Sequence, residues 1–308
     1  MNRSLAQWLA DNPGAAVVLT GLLGLLPLLG LGFAFFLPGA VPALITLVRG
    51  PRLGAIVALG GSALLAASML VFGRPMAVGF IYSVWVLGPP LALAVLLART
   101  ESLALCLQVA TLVGAMVLVV LHVAFGDPER FWAPFVRDLA AEMQRHGLPT
   151  ELFEDGLAET LARTLWGWVV VLTTLLAMCA LFLARWWQSL LTQAGRFGAE
   201  FRELRLGRAL GIAAALFVGW SLLVTFAQLD ARPLVDDISR LFLGALVIVG
   251  LAAAHRAVAN GRFAPVWLWV TYAALLLVAP IAVIVLAAWG FVHNWFWSQR
   301  VATPVGRH

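Results

Sequence analysis

Tyr82, Gln108 and His122 stand out because they are polar side chains inside long apolar runs, in the company of Ser83, Thr173, Thr174 and Gln228. In hydrocarbon a polar group needs a partner, so each either bonds a neighbouring helix or faces a ligand. Tyr82, Gln108 and His122 are the candidates for lining a ligand cavity. The carboxylates gather elsewhere: residues 126–164 hold eight Asp and Glu against four Arg. Such a density suits acid/base or cation chemistry, yet these residues spread along the polar faces of helices, which reads as a solvated surface. No Asp, Glu or Arg is expected well inside an apolar run, which argues against a proton pump with its chain of buried carboxylates. Catalytic and metal-binding residues are read as none, for there is no pair of His four apart on a helix and no Gly-x-Ser-x-Gly elbow. The chain has no Lys to reach a phosphate, so it is no ATPase by a P-loop. Cys106 and Cys179 fall in apolar runs and read as packing residues rather than a disulfide framework.

The second concentration of chemistry is "ARWWQSLLTQAGRFGAEFRELRLGR", residues 184 to 208, where Arg, Glu and paired Trp follow a long apolar stretch. From Trp187 the apolar residues Leu190, Leu191, Ala194, Phe197, Phe201 and Leu204 form one helical stripe, with Arg196, Glu200 and Glu203 turned away. This predicts an amphipathic helix over 186–206, bent at Gly195 and Gly198, lying on a membrane surface. Mixed charge beside aromatics also fits a protein interface. Trp187, Arg196, Phe197, Glu200, Phe201 and Arg202 are therefore the candidates for docking a membrane or cytoplasmic partner.

The elements that must carry these residues follow from the apolar runs. Hydrophobic residues make up 62% of the chain, charged ones only 11%, and the mean hydropathy is +0.96, values that exclude an ordinary soluble domain. Nine apolar segments emerge, at 15–36, 38–48, 53–72, 78–98, 103–125, 165–184, 209–228, 241–258 and 264–290. Backbone polar groups in lipid must be satisfied within each segment, so all are read as helices. The fold class is all-α, a polytopic membrane bundle of about nine spans, or eight if 15–48 crosses once. Pro38 and Pro42 make 38–48 a candidate half-helix. The sequence pI near 10.5 raises nucleic acid as a partner, but the Arg residues are dispersed among apolar spans, and a bilayer accounts for them.

The charge pattern orients the chain. Residues 185–208 carry five Arg and two Glu, whereas 126–164 are acidic, and the two flank one span. The positive-inside rule puts 185–208 in the cytoplasm. Trp166, Trp168, Trp186 and Trp187 mark the two interfaces of that span. Outside, 126–164 reads as an amphipathic helical hairpin turning at "HGLP". Three regions result: a membrane bundle over 1–125, the hairpin over 126–164, and a second bundle over 165–308. Small residues four apart, above all Ala16, Thr20 and Gly24, mark a seam for close helix packing.

The segment "ARWWQSLL", followed by an aromatic, "EF" and "LRLG", resembles the YybS-like predicted membrane proteins of bacteria, in their proteobacterial form. "GLAAAH" (Gly250 to His255) and "WGFVHNWFWSQR" resemble that family's closing region, although His293 stands where the pattern carries Asp and Gln299 near where it carries Arg. "LPGAVPALITLVRGPRLGA" is similar to the substrate-binding membrane components of energy-coupling-factor vitamin transporters. There, small residues on the first helix contact the energising partner, and Ala16, Thr20 and Gly24 occupy that place here. The chain reads as an integral inner-membrane protein of bacteria that binds a small molecule in a transport-related role, as the transporter resemblance implies; no cofactor is read, and the absence of Lys leaves ATP hydrolysis to a partner. The alternative is a scaffold or assembly factor that docks a partner through 184–208.

Overall fold

The structure, a computed structural model, describes residues 3–147, 156–229 and 232–301, and among these it contains helices and turns but no strand. The helices are α1 (Arg3–Asp11), α2 (Pro13–Leu25), α3 (Leu37–Arg49), α4 (Pro51–Val71), α5 (Met76–Thr100), α6 (Leu103–Phe125), α7 (Pro128–Arg145), α8 (Leu157–Thr192), α9 (Arg196–Arg202), α10 (Gly207–Phe226), α11 (Pro233–Ala259), α12 (Val266–Leu277) and α13 (Ala279–Val301). Six of them, α4, α5, α6, α8, α10 and α11, are long and apolar enough to cross a membrane; a seventh crossing is possible if the sharply bent α1–α2 pair is one span. The protein is thus a multi-pass helical membrane protein.

Two apolar segments and the amphipathic stretch are broken where proline or glycine interrupts the backbone ladder. The segment 15–36 ends as a helix at Leu25, and two short 3-10 turns at Pro27–Leu29 and Gly32–Phe36 replace its second half. Pro27 supplies no N–H, and Gly30 sits at φ 90°, a left-handed turn that glycine adopts without strain. The segment 264–290 divides at Val278 into α12 and α13, just before Pro280. The helix expected over 186–206 is also two pieces: α8 runs on to Thr192, Gly195 turns the chain at φ 87°, and α9 occupies only Arg196–Arg202. In the acidic region α7 forms as read, but "HGLP" and Thr150, Leu152 and Phe153 lie at least partly outside the described residues. From Leu157 the chain is already in α8, so Leu157 and Leu161 begin a 36-residue helix rather than a separate hairpin arm.

The helices group into two compact units that interleave along the chain and cut across the divisions at 125 and 164. Unit 1 comprises 1–110, 173–205 and 252–263. Its centre is α3, whose residues Pro38 through Thr46 are all buried, packed by α2, α4 and α5. At about 1.5 Å per residue its 13 residues cover roughly 20 Å, short of a hydrocarbon core of about 30 Å. α3 is therefore a buried half-helix, in keeping with Pro38 and Pro42. The seam on α2 serves this packing: Ala16, Thr20 and Gly24 are buried, Thr20 lies against Gly61 of α4, and Gly24 lies against Leu65. Unit 2 comprises 111–172, 206–251 and 264–308. Two features organise it. Phe131 and Trp132 of α7 pack on Trp166 of α8, with ring centroids 4.7 and 4.9 Å apart. Asn294 of α13 accepts hydrogen bonds from the backbone N–H groups of Leu206 and Gly207 at 2.9 and 3.0 Å, tying α13 to the start of α10.

Candidate functional site

The polar residues with the most unusual placement lie in unit 2, where α6 ends, α8 passes and α11 begins. Pro233 opens α11, so Asp236 and Asp237 stand in its first turns, where the positive end of the helix dipole favours carboxylates. From the apolar segments, 230–240 precedes the span expected at 241–258, and no acidic residue is expected inside a span. The structure corrects this: Asp237 lies within α11 and is 0% exposed. Pro233 followed by acidic residues is a helix start legible in the sequence.

Asp237 is held on one side by Arg240, one turn along α11, whose guanidinium bonds its Oδ1. The same oxygen rests on Gly167 of α8, where a Cβ would come within 2.3 Å of it, so only glycine leaves room for the carboxylate. On the other side Asp237 Oδ2 faces His122 Nε2 at 3.4 Å. His122 Nδ1 in turn lies 2.9 Å from the carbonyl oxygen of Leu118 on its own helix. The neighbouring Asp236 turns to α10, where Ser221 donates to it at 2.6 Å.

Above this group opens a recess of about 540 Å³, with His122 in its wall and with Asp127, Glu129, Arg163 and Arg232 around it. Asp127 caps α7 by accepting from the Glu129 N–H at 3.0 Å. Glu129 pairs with Arg163 at 2.9 Å. The recess thus offers two carboxylates and two guanidinium groups to a solute, with an imidazole in its wall and a buried carboxylate behind it.

The three residues proposed for one cavity fall in different units. Tyr82 and Gln108 belong to unit 1 and His122 to unit 2. Tyr82 donates to the Gly24 carbonyl at 3.2 Å and packs edgewise against Phe35, 6.3 Å between centroids. Gln108 donates to the Arg205 carbonyl at 3.2 Å. The contact between Cys106 Sγ and the Leu93 carbonyl sets α6 antiparallel to α5 and places Gln108 about nine residues, roughly 13 Å, from the level of Tyr82. The Tyr82 bond joins α5 to α2, and the Gln108 bond ties α6 to the turn between α9 and α10. The cleft near Tyr82, between Phe36, Trp85, Pro89 and Thr173, measures about 20 Å³, room for a single water.

The residues proposed for docking are engaged within unit 1. Arg185, almost fully buried, grips Glu200 with two bonds of 2.8 and 2.6 Å. Arg196 reaches the same carboxylate at 2.7 Å and Glu101 at 2.8 Å. Burial alone would push the Glu200 carboxyl up, but hydrogen bonds and charge from Arg185 and Arg196 outweigh it and hold the group below its ordinary range. The bond to Glu200, then that to Glu101, raises the Arg196 guanidinium. Trp187 is buried, and Phe197 and Phe201 pack on Phe182 at 6.1 and 5.4 Å. Phe201 also meets His255 edge to face at 5.4 Å. Arg202 lies over Gly198.

Comparison of the chain with protein families, with curated proteins and with solved structures finds no match in any of the three.

Proposed function

We propose that this chain is a multi-pass protein of the bacterial cytoplasmic membrane that binds a small polar solute in the recess over His122, in a transport-related role and without an ATPase of its own. The observation that carries this reading is the recess itself: about 540 Å³, edged by charges of both signs and with an imidazole in its wall. Pockets that orient small solutes combine such volume with a few convergent polar groups. The resemblance to YybS-like proteins and to energy-coupling-factor components points the same way, and an energising partner would supply the ATP hydrolysis this chain cannot. The positive-inside rule places the recess on the outer face, because α7 and its acidic neighbours lie opposite the Arg-rich 185–208. Beyond the six or seven crossings, α3, α12 and α13 bring the inserted helices toward the nine segments read from the sequence.

The scaffold reading is less favoured, since Arg185, Arg196, Phe197, Glu200 and Phe201 are spent on contacts inside unit 1. Native mass spectrometry of protein extracted gently from its own membranes separates the two. A small-molecule adduct on the wild type, lost in His122→Leu and kept in Gln108→Leu, is the expected result. A wild type that carries a second protein and no small molecule reverses the preference.

A further inference from the structure

We propose that His122 and Asp237 hold one exchangeable proton between them, so that the wall of the recess is a proton-binding site. The argument is a count of hydrogens. A carbonyl oxygen can only accept, so the contact of His122 Nδ1 with the Leu118 carbonyl at 2.9 Å requires the hydrogen on Nδ1. In a neutral imidazole Nε2 is then a bare lone pair. It faces Asp237 Oδ2 at 3.4 Å, and an ionised carboxylate is also acceptor-only. Both atoms are buried, and neither has another hydrogen-bond partner. Two buried lone pairs turned on each other are repulsive, and buried polar atoms left unpaired are costly. One added proton removes the conflict, whether it sits on Nε2 against a carboxylate or on Oδ2 against a neutral ring.

The surroundings fix where that proton goes. Arg240 occupies Oδ1, and Gly167 of α8 leaves space for the carboxylate to reach it, so Oδ2 is the oxygen left for His122. On α11 the other nearby carboxylate, Asp236, is turned to Ser221 of α10. From α7 and α8 the ionisable groups facing the pair across the recess are Glu129 and Arg163, already bonded to each other, with Asp127 before α7 and Arg232 before α11. Asp237 is closed off, while His122 borders the recess, so exchange runs through the imidazole. On release the proton passes to a recess water, leaving a neutral ring, a carboxylate and a hydronium. The local charge with Arg240 falls from plus one to zero.

The test uses the full-length protein in lipid nanodiscs with ¹⁵N-labelled histidine, the His122 resonances being those absent from His122→Gln. The expected result is that Nδ1 stays protonated throughout, while Nε2 or its hydrogen-bond partner carries one further proton at low pH and releases it on alkalinisation. A pH-indicator measurement should then find one proton fewer released by Asp237→Asn, whose amide N–H can face Nε2 without titrating. An imidazole that is neutral at every pH beside a carboxylate whose infrared band is always that of the ion overturns the proposal. That outcome is read on the wild type; should His122→Gln not fold, Asp237→Asn identifies the His122 resonances by the shift it causes in them. The solute reading fails separately, by the absence of a small-molecule adduct, which leaves these signals unchanged.

Discussion

At the scale of single residues, the strongest claim concerns Glu200. Its carboxylate pairs with Arg185, whose side chain is only 7% exposed, and it receives Arg196 as well. Removing one member of a buried pair strands the other's charge, which typically costs 3–5 kcal/mol. Glu200→Ala should therefore lower stability by about 3–5 kcal/mol in denaturant unfolding, with Glu200→Gln costing less because its amide oxygen still accepts. The exposed pair Arg145–Glu142 on α7 is the contrast: its loss should cost at most about 1 kcal/mol. The pH dependence follows from the sign of the shift. Glu200 is held below its ordinary 4.5 in the folded protein, so its contribution is complete above that value and is lost as pH falls through the lower folded one. The stability gap between wild type and Glu200→Gln should shrink only below about pH 4.5; a gap that closes near neutrality would refute the assignment. The chemistry of this segment was legible as a concentration of Arg, Glu and Phe. Its destination was not, because an amphipathic stripe looks the same whether it meets a partner or the chain's own α8.

At the scale of elements, helix approach is set by glycines that meet backbone. Gly250 of α11 and Gly290 of α13 form a reciprocal contact: a Cβ on Gly250 would fall 2.1 Å from the Leu286 carbonyl oxygen, and one on Gly290 would fall 2.1 Å from that of Leu246. Backbone cannot swing aside as a side chain does, so the helices themselves must part. Gly250→Ala and Gly290→Ala should each destabilise unit 2 by about 1–3 kcal/mol, as overpacking does. Because both report one crossing, the double variant should cost less than their sum. Gly219→Ala in α10, where a Cβ meets nothing within 4 Å, is the control and should be close to neutral. Equal losses at all three positions would refute the crossing geometry, because Gly→Ala by itself favours a helix. The small-residue seam at Ala16, Thr20 and Gly24 could be read from its own spacing. Gly290 could not, since a lone glycine acquires meaning only from the helix that crosses it. Likewise the breaks at Leu25 and Val278 are written in Pro27 and Pro280, but apolar runs long enough to span conceal them.

At the scale of the whole molecule, α8 decides the topology. Its 36 residues extend about 54 Å, well beyond a hydrocarbon core of about 30 Å, so its two ends emerge on opposite faces of a bilayer. The positive-inside rule predicts the cytoplasm for the face that carries the Arg-rich stretch at its far end. Following the chain through α6, α5 and α4 brings Arg52 to the same side as Gln193, and Arg137 of α7 to the other. This makes a prediction for cysteine labelling in a background lacking Cys106 and Cys179. In intact cells an impermeant maleimide should modify Arg137→Cys, whereas Arg52→Cys and Gln193→Cys should react only after permeabilisation. The reverse pattern would invert the protein and turn the recess to the cytoplasm; labelling of Arg137→Cys and Gln193→Cys from one side would mean that α8 does not cross. The expected pattern bears directly on the buried pair, because Asp127 and Glu129 border the recess where α7 begins and His122 lies in its wall. With Arg137 outside, any proton exchanged between His122 and Asp237 comes from the external medium, and the acidity sensed is that of the outer face.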